Sequence, residues 1–274
     1  MNSAAQSLQH AQQELLKVAG EESAQQAKLL VAHILGCTPG ELFLKREHSL
    51  TQDQLIQLDA LLQRRKNGEP LQYLLGEWAF MGLTFAVTPK ALIPRQDTET
   101  LCEHALKLAK ARGYQTALDL CCGTGCIGIS MAKLGGLTAT CSDLSPDCIA
   151  LTKENAQKNR ISITTLQGSF FAPVASRFDM ILSNPPYLTA EDMLKLQREV
   201  SFEPALALYG GEDGLAAYRE IAAGYDAHLN GGGVLLLEVG AGQVQDVCKL
   251  FPGRHTENIC DYNGVARVVQ VEAR

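Results

Sequence analysis

Two short runs carry residue types that could do chemistry. The first is Asn184-Pro185-Pro186-Tyr187, which directly follows Phe178 to Ser183, a short apolar run of buried-strand type. A planar NH2 group conjugated to a carbonyl or a ring is a poor nucleophile, and both of its hydrogens need acceptors. The Asn184 side-chain oxygen can accept one and the Pro185 backbone carbonyl the other, while the prolines hold that carbonyl in place and Tyr187 can stack on the flat face of the group. Both hydrogen bonds localise electron density on nitrogen and aim it at an electrophile. Positioning would then do most of the work, with no dedicated general base. The plain alternative is a proline-rich turn. Average composition gives such a tetrapeptide in on the order of one chain in a thousand, and the carboxyl end of a central strand is where open α/β sheets bind ligands.

The second run is Leu118-Asp119-Leu120-Cys121-Cys122-Gly123-Thr124-Gly125, a strand entering a glycine-containing turn that opens a helix. Glycines here let the backbone approach a ligand closely, although a tight turn without a ligand would look the same. Asp143 ends the next strand about twenty residues on, where an acidic side chain can accept both hydroxyls of a ribose; its alternative is a helix-entry acid before Ser145-Pro146. Together the two features favour a nucleoside-containing cofactor. The short Gly123-x-Gly125 spacing suits S-adenosylmethionine better than the longer pattern of dinucleotide binders. A sulfonium methyl is then the electrophile at which the NH2 group would be aimed.

These residues need a frame, and the alternation of short apolar runs with helical periodicity supplies one. Strands are expected at Thr116 to Leu120, Thr138 to Ser142, Ile161 to Gln167, Phe178 to Ser183 and Val234 to Glu238. Helices are expected from Cys126 and from Pro146 behind Ser145. This is the signature of a mostly parallel sheet covered by helices on both faces. His255 to Cys260 and Ala266 to Val271 flank Asn263-Gly264 and read as a closing hairpin. Ahead of the sheet, Thr98 is expected to cap a helix that bears Leu101, Ala105 and Leu108 and stops at Gly113. Leu83, Phe85 and Val87 alternate as a strand after a Gly82 turn. From Ser3 to about Asn67 the pattern is helical, with Leu8, Leu15 and Leu16, then Leu29, Leu30 and Ile34, at helical spacing. A Thr51/Gln54 capping box opens a helix carrying Leu55, Leu58, Leu61 and Leu62. Its Arg64-Arg65-Lys66 run reads as a solvated helix end rather than a nucleic-acid patch.

Composition narrows the function classes. With 274 residues, 46% hydrophobic and 20% charged, the chain can bury a substantial core. A net charge of -6 argues against unaided binding to a phosphate backbone. Nine cysteines, three of them close together, do not make a disulfide framework, and the others lie too scattered for metal-ligand spacing, so no metal is expected. The absence of a secretory start and of a long apolar run points to the cytoplasm, with no membrane partner.

The two motifs resemble those of the seven-stranded class I S-adenosylmethionine methyltransferases, in which Asn-Pro-Pro-Tyr serves enzymes acting on amide nitrogen and on adenine N6. The surrounding residues resemble the HemK/PrmC glutamine methyltransferases. Leu92-Ile93-Pro94-Arg95 with Thr98-Glu99 is similar to that family's L-I-P-R-P-x-T-E motif, with Gln96 in place of the second proline. Phe202-Glu203-Pro204-Ala205-Leu206-Ala207-Leu208, Gly210-Gly211-x-Asp213-Gly214-Leu215 and Asp261-x-x-Gly264-x-x-Arg267-Val268-Val269 are equally characteristic.

The resemblance implies an α/β class I methyltransferase fold with a small N-terminal helical domain. It divides the chain into a substrate-docking domain over 1–75, a β-hairpin linker over 76–90 and a methyltransferase domain over 91–274. It implies methyl transfer to N5 of the glutamine in the Gly-Gly-Gln motif of class 1 peptide chain release factors, with S-adenosylhomocysteine as the product and no direct nucleic-acid partner. The cofactor positions carry over to Cys121, Cys122, Gly123, Thr124, Gly125, Asp143, Phe170 and Asn184. Substrate positions carry over to Asn184, Pro185, Pro186 and Tyr187, with Asn184, Pro185 and Tyr187 as the catalytic set and Phe170 against the adenine. Cys121 stands where the family's first motif glycine usually does and fits if the backbone keeps negative φ. Ser169 replaces a common acidic residue, so adenine recognition there would rest more on backbone groups. The rivals are a glutamine methyltransferase for a ribosomal protein, an adenine N6 methyltransferase for nucleic acid, and a non-catalytic protein retaining the cofactor fold.

Overall fold

The computed structural model describes residues 3–273, and the chain falls into two compact units. The first comprises the chain up to Gly76 together with Gln197–Phe202; the second comprises Glu77–Leu196 and everything from Glu203 onward.

The first unit is helical: α1 (Ala4–Ala19), α2 (Ser23–Ile34), α3 (Gln52–Lys66) and the short α4 (Leu71–Leu75). Capping boxes open α1 at Ser3/Gln6 and α3 at Thr51/Gln54, each satisfying two backbone donors that would otherwise have no partner. Ala11, Leu15, Leu30, Val31, Leu58 and Leu62 interlock as its core, whereas Leu16 faces outward. Each fully buried leucine contributes about 1.5–3 kcal/mol.

The basic run at the end of α3 corrects the sequence reading, because Arg65 is only 2% exposed. Its Nε donates to Gln26 Oε1 at 2.9 Å, and its guanidinium pairs with Glu199. A guanidinium removed from water needs such partners, and the sequence offers no sign of them because Gln26 and Glu199 lie far away along the chain. Arg64 and Lys66 pair with Glu69 and Glu14 instead.

In the second unit, a hairpin of β1 (Glu77–Phe80) and β2 (Leu83–Ala86) turns at Met81 and Gly82, both at positive φ. The chain continues through α5 (Gln96–Arg112), β3 (Thr116–Leu120), α6 (Cys126–Gly135), β4 (Thr138–Asp143), α7 (Pro146–Lys158), β5 (Thr164–Gln167) and β6 (Phe178–Ser183). It ends with α8 (Ala190–Leu194), α9 (Ala205–Leu208), α10 (Ala216–His228), β7 (Leu229–Glu238), α11 (Val244–Lys249), β8 (Thr256–Cys260) and β9 (Ala266–Glu272). Seven strands form one sheet in the order β5-β4-β3-β6-β7-β9-β8, parallel except for β9, which runs antiparallel to both neighbours. This is the expected fold class. The order reverses direction between β3 and β6, the switch point at which such sheets bind ligands.

Three local expectations change. Thr98 does not cap α5: the N-cap is Arg95 and Thr98 sits buried inside the first turn, with its hydroxyl turned to Asn184. β5 starts only at Thr164, because Ile161 and Ile163 pack onto the core instead of joining the ladder. β7 begins at Leu229, paired with Phe178, and a register shift accommodates the glycines before Val234.

Replacing Arg65 by alanine removes a buried cation and leaves its partners unmatched. The Arg65→Ala variant is expected to lose about 3 kcal/mol, read as a lower urea midpoint, whereas Lys66→Ala, at a half-exposed pair, should lose less than about 1 kcal/mol.

Candidate active site

Leu120 and Ser183 are register partners at the carboxyl ends of β3 and β6, and the Ser183 hydroxyl donates to the Leu120 carbonyl at 2.8 Å. The glycine turn leaves β3 here. Cys121 takes φ 58, so the negative φ under which a cysteine would fit does not occur, and a Cβ sits in left-handed backbone at the position where glycine is strain-free. Gly123 follows at φ 54 and Gly125, at φ 77, caps α6. A Cβ on Gly125 would lie 2.7 Å from Thr152 Cγ2, so this glycine is needed for contact with α7 as well as for its φ.

Asp143 faces the turn from β4. Its Oδ2 accepts the Gly123 N–H and its Oδ1 the Ser145 N–H, both at 2.9 Å, leaving each oxygen a further lone pair. Burial raises its pKa, and these two hydrogen bonds oppose the rise. Beneath the turn, Asp119 Oδ2 accepts the Gly128 N–H at 2.8 Å, and burial pushes this carboxyl up to about 8. Asn155 ties the turn to β2: its amide NH2 donates to the Thr124 and Ala86 carbonyls and its oxygen accepts the Ala86 N–H. Thr152 donates to the Gly123 carbonyl at 3.1 Å. Sequence reasoning placed Asp119 in the motif without giving it a role, and passed over Gly128, Thr152 and Asn155. A polar residue on the inner face of α7 was the signal available for the last two.

On the β6 side, the Asn184 amide donates through Nδ2 to Thr98 Oγ1 at 3.2 Å. Among the described residues no donor engages Asn184 Oδ1 or the Pro185 carbonyl. The Tyr187 carbonyl accepts from Gln243 Nε2 at 3.0 Å, and its ring lies against the hydrophobic cluster that includes Tyr218, Leu237 and Val239, where burial raises the phenol to about 12 and keeps it protonated. The glycine-rich segment seen in the sequence is built against this loop. A Cβ on Gly210 would lie 2.6 Å from the Pro186 carbonyl oxygen, and one on Gly214 2.4 Å from that of Tyr187. Glu203 braces the facing wall, accepting the Ile93 N–H at 3.0 Å and pairing with Arg95.

These groups surround a cavity of about 510 Å³. Cys121, Cys122, Gly123, Thr124, Asp143, Phe170, Asn184 and Pro186 all line it, as do Thr98, Ile93, Arg95 and Leu206. Gly125, Pro185 and Tyr187 stand behind that lining: Gly125 faces Thr152, Pro185 is buried, and the Tyr187 ring packs on the core. Ser169 and Phe170 form part of the wall, with Phe170 held at φ 43. A partly apolar cavity with a carboxylate offering two acceptors at one end and an amide oxygen at another fits a nucleoside-bearing methyl donor. Among the described residues no group of three or more His, Cys, Asp or Glu is arranged to hold a metal, and no helix is long and apolar enough to cross a membrane.

Comparison with known proteins agrees with this geometry. The family model for the PrmC N-terminal domain matches residues 6–76, and that for the Methyltransferase small domain matches residues 97–203. The release factor glutamine methyltransferase of Geobacter sulfurreducens is 39% identical over 260 residues, covering 91% of this chain and 90% of that one. The protein of the same name from Cereibacter sphaeroides is 39% identical over 269 residues, covering 97% and 92%. Among solved structures, a methyltransferase from Pyrococcus furiosus superposes with a TM-score of 0.54 at 16% identity, over 81% of this chain and 98% of that one; the likeness speaks for the fold.

Left-handed backbone costs a non-glycine residue about 1 kcal/mol or more, part of which a glycine returns through its freer unfolded chain. Cys121→Gly is therefore expected to raise stability by about 0.5 kcal/mol in urea unfolding and to leave the cavity able to bind its ligand. A clear loss of stability would mean that the thiol's packing outweighs the strain.

Proposed function

The chain belongs to the release factor glutamine methyltransferase family and is an S-adenosylmethionine-dependent methyltransferase, and we propose that its methyl acceptor is N5 of the glutamine in the Gly-Gly-Gln motif of class 1 peptide chain release factors. The observation that carries this reading is the state of the Asn184 amide. Its NH2 is held by Thr98, while Oδ1 and the neighbouring Pro185 carbonyl are both without a donor among the described residues. Two unengaged acceptors on adjacent residues are what the two hydrogens of a primary amide require.

Bound S-adenosylmethionine would supply a sulfonium methyl group and leave as S-adenosylhomocysteine, and the acceptor nitrogen would release one of its two protons to solvent once the N–C bond has formed. The turn Cys121, Cys122, Gly123, Thr124 and Gly125 would hold it through backbone groups, Asp143 through its two carboxylate oxygens, Phe170 by its ring and Asn184 at the reacting end. Asn184 and Pro185 would accept the two amide hydrogens, which concentrates electron density on nitrogen and turns its lone pair outward. Pro186 fixes the direction of that backbone, and Tyr187 keeps the loop seated on the core. Orientation supplies the rate, because it turns a bimolecular encounter with a weak nucleophile into a prealigned one.

The helical domain over 1–75 would dock the body of the release factor, the hairpin over 76–90 would link it, and 91–274 would carry out the transfer. The work would be done in the cytoplasm, where release factors act. The names of the relatives, at 39% identity over most of the chain, support this substrate over a ribosomal protein or a nucleic acid.

Incubating the purified chain with methyl-labelled S-adenosylmethionine and unmodified release factor should place label on the motif glutamine. A release factor with asparagine at that position should take none. Asn184→Ala should lower transfer roughly 100- to 1,000-fold while keeping part of the cofactor affinity. Unchanged methylation by that variant, or label on nucleic acid instead, would overturn the reading.

A further inference from the structure

β6 and β7 are parallel neighbours in which Ser183 pairs with Leu237, so Asn184, just past the end of β6, and Glu238, the last residue of β7, follow that pair. The first turn of α5 brings Thr98 onto Asn184, and the same helix packs against β7. Thr98 and Glu238 are each only 2% exposed, and Glu238 Oε2 is wholly buried with no hydrogen-bond partner among the described residues. A carboxyl group kept in such a place costs stability, and a threonine hydroxyl at this helical position caps nothing.

We propose that Glu238 and Thr98 act as a positioning chain that decides which way round the Asn184 amide is presented. The proposal rests on the amide-transfer reading above. A threonine hydroxyl has one hydrogen. When that hydrogen goes to the Glu238 carboxylate, Thr98 has only lone pairs to offer Asn184, and the asparagine must turn its NH2 toward Thr98 and leave Oδ1 for the methyl acceptor. The opposite orientation would put two N–H donors where the substrate's own N–H must be received, and transfer would stop.

Burial pushes Glu238 up to about 7, and the nearby Thr98 hydroxyl opposes the rise. Arg267 and Arg95 also favour the carboxylate, and Asp97 opposes it. Neither Thr98 nor Glu238 needs to touch the reacting atoms.

The test compares Thr98→Val, which keeps the shape and removes the hydroxyl, with Thr98→Ser, which restores it, and with Glu238→Gln. Single-substrate kinetics on release factor are read alongside calorimetric binding of S-adenosylhomocysteine and a urea midpoint. The expected result for Thr98→Val is a kcat lower by on the order of tenfold, with KM for release factor and cofactor affinity within about twofold of wild type. Thr98→Ser should recover most of the rate. Glu238→Gln should fall between the two, and the double variant with Thr98→Val should be no slower than Thr98→Val alone, because both changes break the same chain. Wild-type kcat in Thr98→Val, or losses that add in the double variant, would overturn the proposal while leaving amide transfer intact. A wild-type chain that places no label on the glutamine would overturn both.

Discussion

The pairing of Leu120 with Ser183, closed by the hydrogen bond from the serine hydroxyl, fixes the distance between the two chemical halves of this protein. Every strand-end loop of the site is measured from that point. On one side the chain turns through Cys121 to Gly125 into α6; on the other it enters Asn184 to Tyr187. Because β3 and β6 are parallel and adjacent, both loops emerge at the same edge of the sheet, and the reversal of strand order between them leaves room for a cavity instead of a crossover. The remaining elements hold these loops in place. Asn155 and Thr152 on α7 grip the first, and Gln243, Gly210 and Gly214 grip the second.

Much of this could be read from the residues, and the pattern of what could and could not be read is physical. Strand and helix order followed from periodicity, since a buried parallel strand needs a short apolar run and a covering helix needs one apolar face. The turn after β3, the acid ending β4 and the Asn-Pro-Pro-Tyr loop could be located because their chemistry limits which residue types will serve. Contacts between distant parts of the chain could not be located. Thr98 has the composition of a helix cap, and only the fold shows that its hydroxyl belongs to Asn184. Arg65 sits in a run that looks solvated, and only the packing of α2 against α3 and the return of Gln197–Phe202 to that unit bury it. Cys121 was expected to fit if the backbone kept negative φ, and only the fold shows that the turn holds it at positive φ.

A common principle runs through the site: the groups that matter are held by their second hydrogen-bonding capacity so that the first stays free. Asp143 spends one lone pair of each oxygen on a backbone N–H and keeps another toward the cavity. Asn184 spends its NH2 on Thr98 and keeps its oxygen. The Tyr187 carbonyl is tied to Gln243, while no described donor reaches that of Pro185. On the proposed function, such preorganisation would be the main resource of a transfer that needs no strong base, with the barrier lowered by alignment and by electrostatics that require no rearrangement as the methyl group moves.

The central claim is geometric and can be measured directly by a crystal structure of the chain with S-adenosylhomocysteine and a peptide containing Gly-Gly-Gln. The account predicts the glutamine amide nitrogen within hydrogen-bonding distance, roughly 2.7–3.2 Å, of both Asn184 Oδ1 and the Pro185 carbonyl, with the Asn184 NH2 still on Thr98. A glutamine amide bound elsewhere in the cavity, or an Asn184 turned so that its NH2 faces the substrate, would contradict it.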